Sequence, residues 1–171
     1  MERITRANAL VAGLSLAALL VPGAARAAGA RTLEPILGYD KWLDVRPTAE
    51  SLRGRVVLVD VFTFGCYNCQ NVTPNLRALH RTKSGSQFTI VGIHTPETPY
   101  ERDRANVVAN LKRQGIVWPV AVDNDNKLWD AYGIEYWPTQ LIFDRNGKLQ
   151  RIVEGDSQDE LVDRTVAQLM A

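Results

Sequence analysis

The sequence predicts an α/β domain with a mixed central sheet and helices on both of its faces. Three observations predict it. Val56–Phe62 is a nearly continuous, valine-rich apolar run, which suits a central strand buried on both sides. The segments after it alternate between strand-like runs and helical periodicity, the order that builds α/β layers. The last part changes to a hairpin followed by a helix, which makes the sheet mixed.

The leader comes first. Arg3 and Arg6 precede Ala9–Val21, an uncharged stretch rich in Ala and Leu; Pro22 and Gly23 break it, and Ala25-Arg26-Ala27 follows. This is the charged, apolar and small-residue order of a secretory signal peptide, with cleavage expected after Ala27. The apolar run is shorter than the ~20 residues a helix needs to cross a bilayer. The expected division is therefore a leader over 1–27 and one domain over 28–171, exported to the outer side of the membrane, the periplasm of a Gram-negative cell. An uncleaved leader would leave the protein anchored. No later segment is apolar enough to hold it in a membrane after cleavage.

Ala28–Pro35 reads as a short polar start to the mature chain, and Trp42, Leu43 and Leu52-Arg53-Gly54-Arg55 lead into the first strand. From Tyr67 to about Lys83, Val72, Leu76 and Leu79 recur at helical spacing around an internal Pro74, and Gly85 closes the helix. Gln87–His94 is a second strand. Glu101–Gln114 is a polar helix with Val107, Val108 and Leu111 as its apolar stripe, ended by Gly115. Pro119–Val122 is a short strand, and Asn124–Tyr132 a helical turn ending at Gly133. Thr139–Asp144 and Lys148–Val153 flank Arg145-Asn146-Gly147, where the Asn-Gly pair is a hairpin signal. Ser157–Met170 closes the chain as a helix. Ser157 is its expected N-cap, with Glu160 three residues on, and Leu161, Val162, Val166 and Leu169 form its stripe.

A chain of 171 residues can bury a real core as one domain. The formal net charge of +1 supplies no field to attract nucleic acid, and a monomer is expected.

The chemistry lies in VDVFTFGCYNCQNVTP, Val59 to Pro74, which holds both of the chain's cysteines, Cys66 and Cys69. A two-residue loop is a poor structural staple, because closing it removes little chain entropy. In an exported protein two such thiols pair readily, which points to reversible redox chemistry. Cys66 falls where the strand ends and the helix begins, so unpaired first-turn N–H groups and the helix dipole favour its anionic, nucleophilic form. Cys69 lies one helical turn on, within disulfide reach. Other uses of two thiols fit less well. Zinc would need His80 and His94 at spacings that match no finger pattern, and Gln70 stands where haem attachment requires histidine. A peroxidatic site could use Thr63, three residues before Cys66, yet a resolving thiol one turn away suits disulfide exchange better. A Cu(I) chaperone using both sulfurs as soft ligands is the rival from another class, without a methionine- or histidine-rich patch to support it.

The stretch VVLVDVFTFGCYNCQNVTP resembles the active-site segment of thioredoxin-fold proteins. VGIHTPE, WPVAVDNDNKLWDAYGIEYWPT and LIFDRNGK are similar to the periplasmic TlpA/ResA-type branch, including the domains that work with membrane electron carriers of the cytochrome-biogenesis type. The likeness runs from about Trp42 to Glu154. It implies a thioredoxin-like fold in which Cys66 attacks and Cys69 resolves. Pro74 matches the proline that kinks the active-site helix, and Pro138 the cis-proline that packs against the disulfide. Asp60 stands where thioredoxins keep a buried carboxylate near the resolving cysteine. An aspartate is costly to bury in an apolar strand, which argues that it has a task. Glu97, after His94-Thr95-Pro96, stands where ResA-type proteins place a glutamate, and is a rival proton handler. Trp137 and Thr139, beside Pro138, are the expected partner-facing residues. Trp129, spaced with Leu128 and Tyr132, is expected in the core, and His94 is expected to be structural. The chain departs from the family in carrying Tyr67-Asn68 between the thiols and Phe64-Gly65 before them. The implied protein is a thiol–disulfide oxidoreductase without bound cofactor or metal. Most of this branch reduces protein disulfides and is fed by a membrane thiol donor; a disulfide-forming oxidant is the alternative direction.

Overall fold

The computed structural model describes residues 29–85 and 87–171, so the expected leader lies outside the described residues. Strands β1 (Val56–Phe62), β2 (Phe88–His94), β3 (Val120–Val122), β4 (Thr139–Phe143) and β5 (Leu149–Glu154) form one sheet in the order β3-β2-β1-β4-β5. β1 runs parallel to β2, and β2 to β3, while β4 is antiparallel to both β1 and β5. The sheet is mixed, as the switch from crossovers to a hairpin implied.

β1 is central and buried along its whole length, and its side chains divide between two cores. Val56, Leu58 and Phe62 face α3 (Tyr67–Lys83), α4 (Arg104–Gln114) and α6 (Asp159–Met170), whose Val72, Leu76, Val107, Val162 and Val166 join the same cluster. Val57, Val59 and Val61 face the other way, toward α1 (Glu34–Gly38), α2 (Ala49–Leu52) and α5 (Lys127–Tyr132). Two-fold alternation along a strand thus explains why a nearly continuous apolar run was needed. Asp60 falls on the α3 side by this alternation, opposite Gly92 of β2 and Gln140 of β4.

Local chemistry moves several expected boundaries. The N-terminal stretch read as polar is docked. Leu33 and Ile36 are buried, Thr32 bridges to Lys148, and the Ala30 N–H donates to the Ala131 carbonyl at 2.7 Å. The helix expected over Glu101–Gln114 is two elements. A 3-10 turn, Pro99–Arg102, comes first; the Asp103 carboxylate then accepts from Asn106 N–H at 3.0 Å and starts α4 afresh. The expected Ser157 cap is corrected too: Ser157 has φ +61°, and α6 begins after Gln158 without a side-chain cap. The hairpin turn is built on Asp144, whose Oδ1 accepts from the Asn146 and Lys148 N–H groups, while Gly147 takes φ +73°. No helix among the described residues is long and apolar enough to cross a membrane.

Candidate active site

α3 begins immediately after β1 and the turn Thr63–Gly65, so the end of the central strand delivers Cys66 to the helix N-cap. Cys66 keeps extended backbone angles there, and its sulfur accepts from the Cys69 N–H at 3.2 Å. This satisfies one of the first-turn donors that every helix leaves open. Both residues are free thiols. Cys66 is half-buried, whereas Cys69 is buried in the α3-side core. Burial first, and contact with Cys66 and Asp60 next, raise the Cys69 pKa, against a lowering by a hydrogen bond from the Thr63 backbone. Cys66 is therefore the accessible thiol, and Cys69 needs help to lose its proton.

Pro74 lies inside α3 as expected. The Thr73 hydroxyl also donates to the Cys69 carbonyl at 2.9 Å, an added bond in the segment that proline disturbs.

Asp60 is the acid beneath the dithiol. It is 2% exposed, its Oδ1 has no hydrogen-bond partner, and burial pushes its pKa up to about 7. Glu97 is exposed, and what it gives the site is its backbone N–H, donated to Glu101 at 3.0 Å. The Trp137–Pro138 peptide is cis, Pro138 is buried, and its carbonyl accepts from the Gly155 N–H at 2.8 Å.

Two expected partner-facing residues have less exposed side chains than a docking role suggests. Trp137 is half-buried: its ring lies 4.3 Å from that of Trp129, and its indole N–H donates to the Thr95 carbonyl at 3.1 Å. Thr139 is buried, with its hydroxyl on the Tyr136 carbonyl at 2.8 Å. Each ties the proline loop to its neighbours. The aromatic side chains that do reach solvent are Tyr67 between the thiols, Tyr100 in the 3-10 turn and Tyr136 before the proline. Tyr100 stands edge-on to Phe64, with ring centres 5.9 Å apart.

Glu101 was missed as a site residue. It is 3% exposed and reaches across to the turn that precedes Cys66. Its Oε1 accepts from the Thr63 hydroxyl at 2.6 Å and the Gly65 N–H at 2.9 Å. Its Oε2 accepts from the Thr98 N–H, the Glu97 N–H and the Thr98 hydroxyl. Burial alone would raise its pKa, but the bonds from Thr63, Thr98 and Gly65 outweigh that, and the net shift is downward. A signal did exist, since Thr98-Pro99-Tyr100-Glu101 has the spacing of a capping box.

His94 is fully buried against Phe64, whose ring centre is 5.4 Å away, and its Nε2 lies 3.5 Å from the Thr63 hydroxyl. Burial lowers its pKa to about 4, against an opposing pull from Glu101, so the ring is neutral at ordinary pH.

A family model described as thioredoxin-like matches residues 54–149. Protein DipZ of Mycobacterium tuberculosis is 32% identical over 152 residues, which cover 86% of this chain and 22% of DipZ. The chain thus spans about a fifth of that relative's length. Thiol-disulfide oxidoreductase YkuV of Bacillus subtilis is 27% identical over 137 residues, covering 80% of this chain and 92% of YkuV. Among solved structures, a thiol-disulfide isomerase from Corynebacterium glutamicum superposes with a TM-score of 0.70 at 25% identity, covering 77% of this chain and 92% of that one.

Proposed function

The chain belongs to the thioredoxin-like family, and on that premise we propose that it is an exported thiol–disulfide oxidoreductase that reduces disulfides in partner proteins. One observation carries the reading: a half-exposed Cys66 sulfur at the start of α3, bonded to the N–H of a buried Cys69. The name of YkuV, a relative of nearly the same length, supports the same class of reaction.

The reaction balances within the dithiol. The Cys66 thiolate attacks one sulfur of the partner disulfide; a mixed disulfide forms and the partner's other sulfur leaves as a thiolate that takes up a proton. Cys69, deprotonated with Asp60 as acceptor, then attacks the Cys66 sulfur and releases the second partner thiol. Two electrons and two protons have passed to the partner, and Cys66–Cys69 is a disulfide. Asp60 is suited to the proton step, because a carboxylate near neutrality can take a proton and give it up again. An exported protein is cut off from the reducing cytoplasm, so electrons must return through a thiol donor in the membrane. Tyr67, Tyr100 and Tyr136 offer the partner apolar contact, and the backbone before Pro138 pairs with the partner as an added strand.

Reduction of insulin with dithiothreitol as donor tests the activity. The wild type accelerates it, Cys66→Ser abolishes the acceleration, and Cys69→Ser accumulates a mixed disulfide visible on a non-reducing gel. A wild-type rate equal to background overturns the reading. Equilibration with glutathione tests the direction: a reductant lies well below about −200 mV, and a value near −120 mV marks an oxidant.

A further inference from the structure

The two oxygens of Glu101 point in different directions, and only one of them is explained by the turn that Glu101 belongs to. Oε2 caps its own 3-10 turn through Thr98 and Glu97, an arrangement found at many helix starts. Oε1 leaves that turn and crosses to another segment, where it takes the Thr63 hydroxyl and the Gly65 N–H. These residues form the turn that closes with the Cys66 N–H on the Thr63 carbonyl at 3.3 Å. The Thr63 backbone also hydrogen-bonds the Cys69 sulfur. A single carboxylate oxygen therefore holds the short segment that bonds the Cys66 backbone and lies beside the Cys69 sulfur.

The fit is tight. A Cβ added at Gly65 would lie 2.6 Å from Oε1, and among the described residues, its chain neighbours aside, only Glu101 comes within 4 Å of it. Glycine at this position thus leaves room for the carboxylate.

We propose that Glu101 is a positioning residue for thiol–disulfide exchange: by holding Thr63 and Gly65 to the Glu97–Thr98 backbone, it fixes the turn that presents Cys66 for attack. The inference rests on the oxidoreductase reading and adds a residue to it. Glu101 touches neither sulfur; it acts through Thr63 and Gly65. Its downward-shifted pKa agrees with this use, since an ionised carboxylate accepts all five hydrogen bonds and a protonated one does not.

Stopped-flow mixing of the reduced protein with dithiobis(nitrobenzoate), in single turnover, separates positioning from folding. The rate constant reports how well Cys66 is presented, and near-ultraviolet circular dichroism of the same sample reports how much protein is folded. Glu101→Gln keeps the volume but replaces one accepting oxygen with an N–H2 group, and Gly65→Ala displaces the carboxylate from the other side. Each is expected to slow the rate constant about tenfold, equivalent to ~1.4 kcal/mol, with the dichroism signal of the fold retained. Gly65→Ala placed in a Glu101→Ala background is expected to cause no further slowing, because its obstacle is gone. A loss of the dichroism signal at an unchanged rate constant for the folded fraction overturns the inference, since that is what a purely structural role produces. Unchanged kinetics in both single variants overturn it as well, and so does a Gly65→Ala effect that persists without Glu101. If Glu101→Gln does not fold, Gly65→Ala and its dependence on Glu101 decide. A wild type with no exchange activity refutes the parent reading instead, and is recognised before any variant is compared.

Discussion

Replacing Asp60 with asparagine should remove most of the pH dependence that this one carboxyl gives to folding. In the fold, burial holds the pKa at about 7, against 3.8 for an ordinary aspartate. Between these values the folded state carries the proton and the unfolded chain does not. Stability contributed by the proton is therefore lost as pH rises from the unfolded value through the folded one. With a full pKa unit worth ~1.4 kcal/mol, wild-type stability should fall by about 3 kcal/mol between about pH 4.5 and about pH 8 on account of Asp60. No discount for solvent applies, because the group is 2% exposed with an unpartnered oxygen. Asparagine keeps the shape without the charge, so Asp60→Asn should be the more stable protein at the higher pH. The assay is urea unfolding of both proteins in the dithiol state at several pH values. Other titrating groups are common to the pair, so the difference between the curves isolates Asp60. A difference that stays flat over this range refutes the buried-acid assignment. In exchange assays the same variant should slow release of the mixed disulfide, the step that deprotonates Cys69; unchanged rates would remove Asp60 from the proton step.

The remaining predictions concern the fold and the polar shell of the site. Ile36→Ala should cost about 2–5 kcal/mol in urea unfolding, because Ile36 is fully buried and holds α1 against the sheet. Gly147→Ala should lower the midpoint of thermal unfolding by an amount equivalent to about 1–2 kcal/mol, the strain of a Cβ at φ +73°. The His94 ring should show constant NMR shifts as pH falls through the ordinary histidine range and move only near about 4; a midpoint near 6.5 would mean that the ring is not buried as described. For His94 the sign is the reverse of Asp60: stability is lost as pH falls from the ordinary value toward the folded one.

The elements legible in the sequence were those whose signal is local and repeated. The seven apolar-rich residues of β1 and the helical spacing of Val72, Leu76 and Leu79 in α3 stand out because burial repeats along the element. The Asn146-Gly147 turn was legible because a positive φ selects glycine. The misses depend on partners distant in the chain. α1 has five residues and too short a period to read, and the segment that leads into it is held by contacts some hundred positions away, such as the Tyr132 hydroxyl on the Thr32 carbonyl. Trp137 looks fully exposed beside a proline loop until its indole is seen to donate to Thr95, forty-two residues earlier. Glu97 and Glu101 are four residues apart; capping-box spacing ties Glu101 to its own turn, but nothing local brings it to Thr63 and Gly65. The fold decides, because only Glu101 has Thr63 and Gly65 within reach.

The site holds two buried carboxylates in opposite surroundings, and the contrast fits the two roles proposed for them. Asp60 sits in an apolar strand with an oxygen that nothing satisfies, so losing its proton is difficult and the proton is held to near neutrality. Glu101 is almost as buried but accepts five hydrogen bonds, which keep its charge in place. A group that crosses neutrality can carry a proton but is a poor fixed anchor, since its bonds change with its charge. A group locked in one charge state is the reverse. Environments that push two acids apart in this way suit one to proton transfer and the other to positioning at the same dithiol. Exchanging the roles would require the turn before Cys66 to loosen each time Cys69 lost its proton, at the moment when the two sulfurs must meet.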